Sequence, residues 1–196
     1  MNETEYENIV DALVADGYII IENAIEKGLC ERLLESASDE SLYKRAGISS
    51  SQNLHIDGTK RRDKTRWLDT DGAAMSAFLA WSDSLRNYLN RTLYLGLSYY
   101  EAHFAIYEEG DFYEKHLDAF VGSKNRVVTT VLYLNEGWSE EDGGALLIYD
   151  DERVIERVAP KMGTLVIFMS DRFPHEVLPA KKKRHSIAGW FRVDKR

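Results

Sequence analysis

Apolar residues in the first third of the chain recur at helical spacing. Tyr6, Ile9, Val10, Leu13 and Val14 predict an amphipathic helix with one buried face. Asn2 is a favourable amino-terminal cap and Gly17 a favourable stop, so this helix is expected to end near Asp16. The continuous apolar run Tyr18-Ile19-Ile20-Ile21 then reads as a short buried strand. A second helix is expected over residues 25–36, with Leu29, Leu33 and Leu34 inward, and a third over 71–95, with the stripe Phe78, Trp81, Leu85, Tyr88 and Leu89 facing the core. Between these two helices, residues 38–69 are polar and show no clear period. They include the run Arg61-Arg62-Asp63-Lys64-Thr65-Arg66-Trp67, which reads either as a strand edge with solvated charges or as a surface segment with a task.

After Ser98 the period changes to two. Tyr100, Ala102, Phe104 and Ile106 face one way, and Tyr99, Glu101, His103 and Tyr107 the other. Further strands are expected over 126–134, 145–149, 154–158, 164–169 and 185–193, separated by loops containing Gly137, Gly143-Gly144 and Pro160-Lys-Met-Gly163. Strands at this spacing predict an antiparallel sandwich or barrel. A helical first half followed by an all-β second half predicts an α+β fold. One domain over 1–196 is expected, with 1–97 mainly helical support and 98–196 the β core.

Composition narrows the setting. The chain has 196 residues, enough for a sizeable core, with 44% hydrophobic and 30% charged residues. A net charge of −8 disfavours general nucleic-acid binding, although Lys181-Lys182-Lys183-Arg184 is locally basic. No apolar run approaches the roughly 20 residues of a membrane span. The acidic start lacks the basic and apolar parts of a signal peptide, and the single Cys30 fits a reducing compartment, so a cytoplasmic location is expected. Oligomeric state is not legible.

The candidate chemistry lies in the second half. His116 and Asp118, at i and i+2 of an extended stretch, project to one side, and His175 is a third candidate ligand from elsewhere in the fold. Two His and one carboxylate on one face of iron(II), with the opposite face open, suit oxygen-activating enzymes. A tetrahedral zinc site would prefer further His or Cys, or the Glu of an H-E-x-x-H pattern, and neither occurs. His55, His103 and His185 lack a comparable partner and read as structural or exposed. Arg184 follows His175 by nine residues and shares a strand face with Ser186, Ala188 and Trp190. An inward Arg needs an anion, either an acid co-substrate gripped by its fork or a carboxylate of the protein. Tyr133, on the face of Val127, Thr129 and Val131, is expected beside it.

These residues carry a resemblance to the iron(II)- and 2-oxoglutarate-dependent dioxygenases, and more narrowly to the prolyl hydroxylases that act on hypoxia-inducible factor and their small bacterial relatives. The matching residues are Tyr113-x-x-His116-x-Asp118; Arg126-Val-Val-Thr129 with Tyr133-Leu134-Asn135 and Trp138; Gly143-Gly144-Ala-Leu146; and Ser170-Asp171-Arg172 with Pro174-His175-Glu176-Val177, Pro179-Ala180, Arg184 and Trp190. Upstream, Arg61-x-Asp63-Lys64-x-x-Trp67 resembles a segment that in that family helps cover the substrate. The resemblance implies a double-stranded β-helix, or jelly-roll, with supporting amino-terminal helices. It implies Fe(II) on His116, Asp118 and His175. It also implies 2-oxoglutarate on Arg184 with Tyr133 and Tyr107, O2 as oxidant, and ascorbate as a reductant. Arg61, Asp63, Trp67, Tyr113 and Trp190 are the implied substrate contacts. Ala188 stands where the human enzymes carry a Thr.

The activity implied is hydroxylation of a prolyl residue in a protein, with a translation component as one expected substrate, coupled to decarboxylation of 2-oxoglutarate to succinate and CO2. The competing readings are a hydroxylase of another amino acid or small molecule, a non-catalytic jelly-roll that senses iron, oxygen or 2-oxoglutarate, and a metal-dependent isomerase of the cupin type.

Overall fold

The computed structural model describes residues 2–49, 54–55, 57–119 and 125–194. The amino-terminal half supplies α1 (Glu3–Ala15), β1 (Tyr18–Ile21), α2 (Lys27–Ser36), β2 (Lys44–Arg45), β3 (Ile48–Ser49), β4 (Leu54–His55), β5 (Lys64–Trp67) and α3 (Ala73–Leu93). The other half supplies β6 (Tyr99–Tyr107), β7 (Tyr113–His116), β8 (Arg126–Tyr133), β9 (Leu146–Asp150), β10 (Arg153–Val158), β11 (Leu165–Met169), β12 (His175–Val177) and β13 (Arg184–Arg192).

Local chemistry sets the helix ends. Asn2 and Glu5 form a reciprocal capping box that satisfies backbone donors at the start of α1. The chain leaves that helix through Gly17 at φ +85°, a conformation that costs other residues a steric clash. The second helix begins two residues later than its apolar spacing suggests, because Glu26 is still extended (φ −52°, ψ 133°). Cys30 and Leu33 are its buried residues, and Cys30 donates weakly to the Ile25 carbonyl.

Two sheets form the core. The larger runs β1-β11-β8-β13-β6-β5-β2, and the smaller runs β10-β9-β12-β7. Alternation along the long strands divides their side chains between two cores. From β6, Phe104 and Ile106 join the helices, packing with Ile9, Leu33, Phe78, Leu85 and Leu89. Ala105 and Tyr107 point the other way and pack with Ile148 of β9, Phe168 of β11 and Val177 of β12. The larger sheet is therefore sandwiched between helices and the smaller sheet, which is a jelly-roll with a helical backing. Each fully buried Phe, Leu or Ile contributes about 1.5–3 kcal/mol. Close packing also needs glycine at one point. A Cβ on Gly189 of β13 would lie 2.1 Å from the Tyr100 hydroxyl, which bonds Thr130 at 2.8 Å.

Residues 38–69 contain several very short strands, too short to show a period. Strand β5 pairs with β6 through Trp67↔His103 and Lys64↔Ile106, and β2 pairs with β5 through Lys44↔Thr65. This segment thus extends the larger sheet at the edge beside β6. No helix among the described residues is long and apolar enough to cross a membrane.

Candidate metal centre and co-substrate pocket

Strands β7 and β12 pair antiparallel in the smaller sheet with His116 opposite His175. That register brings two residues far apart in the chain onto neighbouring positions. Asp118 lies just past the end of β7. Its Oδ1 is 3.8 Å from His116 Nε2 and its Oδ2 is 3.6 Å from His175 Nε2, and one donor atom from each of the three residues lies within 4.8 Å of the others. Among the described residues this is the group of ionisable side chains that can close on one metal ion.

The surroundings orient all three donors. His116 Nδ1 lies 2.7 Å from the Glu114 carbonyl and His175 Nδ1 lies 3.0 Å from the Phe173 carbonyl. Each carbonyl accepts a hydrogen bond from a protonated Nδ1, which leaves Nε2 with the free lone pair. The Thr129 hydroxyl donates to Asp118 Oδ2 at 2.9 Å and lies 2.8 Å from the Ser170 hydroxyl. The Ser170 carbonyl accepts from Ala119, and its N–H donates to Val127. Ser170 therefore ties together the turn carrying Asp118, the strand carrying Thr129 and the approach to His175. Tyr113 stacks on His116 with ring centroids 3.6 Å apart.

The electrostatics favour metal binding. Burial, reinforced by His175, pulls His116 well below the ordinary imidazole value, so the ring is neutral and ready to bind a metal at neutral pH. Burial works to raise Asp118, but the neighbouring histidines outweigh it and hold the carboxyl below the ordinary carboxylate range. Two imidazoles and one carboxylate, with fixed second nitrogens, are a donor set that fits iron(II).

Arg184 enters from β13 and is 1% exposed. Its Nε donates to the Gly144 carbonyl at 2.9 Å and its Nη1 to the Ser186 hydroxyl at 3.2 Å. Among the described residues no carboxylate pairs with it, which removes the protein ion pair as its explanation. Gly144 makes room for the guanidinium stem, since a Cβ there would stand 3.1 Å from Arg184 Cδ. The Arg184 guanidinium carbon lies 4.8 Å from the Tyr107 ring centroid and 5.0 Å from that of Tyr133. The Tyr133 hydroxyl is buried without a hydrogen-bond partner. A buried cation without an anion beside a buried hydroxyl without a partner fits a bound carboxylate.

A pocket of about 530 Å³ joins these features. Its floor includes His116, Asp118, His175 and Arg184, and its walls include Tyr107, Tyr113, Thr129 and Trp190. Arg61 and Trp67 line it toward the mouth. Asp63 does not line it; this residue is 1% exposed and grips Arg61 through two bonds of 2.6 and 2.8 Å. Tyr133 does not line it either; its ring packs beside the Arg184 guanidinium in the core between the sheets. Trp67 is 55% exposed and meets His103 edge-on, and His103 in turn meets Trp190. His103 is buried, whereas His185 is half-buried outside the pocket and the side chain of His55 lies outside the described residues. Thr129, Ser170 and Arg126 are site residues that patterning alone did not single out. Arg126 stacks 3.7 Å over Trp190 and shares Glu101 with Arg192.

Known proteins resemble this chain in sequence and fold. The family model described as the 2OG-Fe(II) oxygenase superfamily matches residues 102–192. A Pseudomonas putida prolyl-4-hydroxylase is 37% identical, with a TM-score of 0.88 over 97% of this chain and 100% of that one. A Trichoplax adhaerens prolyl hydroxylase, solved with a peptide fragment of the hypoxia-inducible factor oxygen degradation domain, is 27% identical, with a TM-score of 0.85 over 97% of this chain and 90% of that one. The Caenorhabditis elegans hypoxia-inducible factor prolyl hydroxylase is 28% identical over 94% of this chain, which spans only 28% of the nematode protein's length. With a jelly-roll, a His-Asp-His cluster and full-length likeness to a 37% identical relative, the chain belongs to the 2OG-Fe(II) oxygenase superfamily.

Proposed function

We propose that the chain acts as a single Fe(II)- and 2-oxoglutarate-dependent dioxygenase domain that hydroxylates a prolyl residue of a protein. The observation that carries this reading is Arg184, a buried guanidinium without a carboxylate partner among the described residues, opening into the same pocket as His116, Asp118 and His175. In this reading His116 and His175 bind iron through Nε2 and Asp118 through a carboxylate oxygen. Arg184 grips the distal carboxylate of 2-oxoglutarate with its fork, and the Tyr133 hydroxyl supplies a further hydrogen bond. Tyr107, whose ring lies beside the Arg184 guanidinium, would line the co-substrate's part of the pocket. When bound, iron(II) with 2-oxoglutarate and O2 supplies the oxidising chemistry: one oxygen atom ends in succinate, with loss of CO2, and the other in the hydroxylated substrate.

The protein's part is to orient the partners and keep water out. Tyr113 and Trp190 offer flat apolar walls beside the metal ligands, a suitable berth for a pyrrolidine ring. Arg61, held by Asp63 and stacked 4.5 Å over Tyr113, steadies that wall. Trp67 offers an exposed surface to the rest of a polypeptide. The likeness to two prolyl hydroxylases at 37% and 27% identity supports a prolyl target. A translation component remains the expected substrate class, a cytoplasmic setting accords with the single free Cys30, and ascorbate belongs to the same reading as a reductant.

The test is mass spectrometry of the host proteome with and without the protein, together with succinate release in vitro. One oxygen gained on proline, with stoichiometric succinate, is the expected result. The same gain on another residue refutes the prolyl target, and no saturable dependence on 2-oxoglutarate refutes the enzyme class.

A further inference from the structure

The mouth of the pocket carries more positive charge than the proposed reaction uses. The chain has a net charge of −8, yet the ionised side chains lining the pocket are Lys44, Arg45, Arg61, Arg126 and Arg184 against one carboxylate, Asp118. The proposed chemistry absorbs part of this excess. Asp63 neutralises Arg61. The distal carboxylate of 2-oxoglutarate would neutralise Arg184, and its other carboxylate with Asp118 would offset a divalent ion. Glu101 faces both Arg126 and Arg192, so one negative charge serves two guanidiniums. Lys44 and Arg45 are exposed and pair with no carboxylate among the described residues. A fully loaded pocket therefore keeps a cationic rim.

We propose that this rim selects a polypeptide segment carrying Asp or Glu beside the target residue. The inference rests on the hydroxylase reading above and adds the chemistry of the flanking residues. Lys44 and Arg45 sit on β2, which pairs with β5 beside the exposed Trp67. Both line the pocket that holds His116 and His175, so they can meet side chains flanking a residue inserted toward those ligands. Rim charges of this kind act mainly on encounter. They raise the association rate for a segment of opposite sign and lose effect as salt screens them. A nucleic acid fits less well, because the chain's overall negative charge repels an extended phosphate backbone.

Short peptides with a central proline flanked by Asp and Glu, by Ser and Gln, or by Lys test the proposal. Binding is read by fluorescence anisotropy with protein loaded with Mn(II) and 2-oxoglutarate, and oxygen gain by mass spectrometry with Fe(II). The expected order of affinity is acidic, neutral, basic, with the acidic peptide weakening as salt rises. In the double variant Lys44→Glu/Arg45→Glu, affinity for the acidic peptide falls roughly tenfold, as reversing two rim charges should give, and the order inverts. A flat order, an order unchanged in the variant, or a short RNA binding more tightly than the acidic peptide overturns the proposal. Acidic peptide bound but hydroxylated on a residue other than proline refutes the prolyl reading and leaves charge selection standing. Equal binding and equal hydroxylation of all three peptides refutes charge selection alone.

Discussion

The floor and the rim of the pocket are built on opposite principles. The floor takes its side chains from the middle of the jelly-roll, where backbone carbonyls, Thr129 and Gly144 fix them before any ligand arrives. The rim is an addition to the sheet edge, made of strands of two and four residues with exposed cations and an exposed Trp67. The floor offers rigid geometry in a dry setting, where each polar contact is strong. The rim offers charge in water, where contacts are weak one at a time and screened by salt. The difference separates the fixed geometry that serves the proposed reaction from the solvent-exposed charge proposed to select its partner.

Four experiments probe that contrast. Removing the buried cation should hurt most. Arg184→Ala is expected to raise the 2-oxoglutarate concentration needed for half-maximal turnover by about a thousandfold, as loss of one partner of a buried charge pair predicts. Arg184→Lys should recover only part of this, because a point charge lacks the fork. Near-normal 2-oxoglutarate dependence in both variants would break the assignment of the floor.

Next comes His103, the buried imidazole between Trp67 and Trp190. Burial, aided by Arg61, pulls it down to about 4 from 6.5. The folded protein therefore favours the neutral ring, and unfolding takes up a proton between these values. Its stabilising contribution is complete above pH 6.5 and lost as pH falls toward 4, on the order of 3 kcal/mol. Denaturant melts across this range should slope more steeply for the wild type than for His103→Gln, and equal slopes would count against it.

Loosening an orienting contact should cost less. Thr129→Val keeps the shape of the side chain but removes the donor to Asp118 Oδ2, and should weaken anaerobic metal binding about 10- to 100-fold while the fold survives. Unchanged affinity would mean that the Asp118 carboxylate needs no such support.

The smallest effect belongs to the charge network around the 3-10 turn Glu40–Leu42. Lys183 contacts Glu40 at 2.5 Å and Glu108 at 3.5 Å, and Lys64 reaches the same two carboxylates at 3.8 and 3.2 Å. Glu40→Gln should lower stability only slightly, and the loss should shrink further at high salt. A salt-independent loss would show that this edge is packed more like the floor.

Sequence pattern made the scaffold legible wherever an element was long enough to show a period. The helix stripes and the alternation of β6 predicted most of the side chains that enter the core, including the split between Phe104 and Tyr107, whereas Val14 of the first stripe is 67% exposed. The strands that carry the metal ligands were harder to see. Strand β12 has three residues and β7 four, and both spend polar side chains on the site, so neither reads as an apolar run. The ligands themselves were legible only as residue types at plausible spacing. Thr129, Ser170 and Arg126 could not be found that way, because a hydroxyl in a strand or an Arg at its start has many ordinary uses. Asp63 illustrates the opposite limit: it looked like part of a binding surface and is instead the buried brace of Arg61.

The pairing of His175 with His116 has a consequence for how the protein matures. The two strands are separated by most of the jelly-roll in sequence, so their contact is a non-local one that requires much of the chain to be brought together. A slip of one residue in that pairing would turn His175 to the opposite face of the sheet. A chain still partly folded, or misregistered, therefore presents no complete set of ligands. Competence to capture a redox-active metal arrives together with the closed barrel, which delays oxidative chemistry until there is a cavity to contain it.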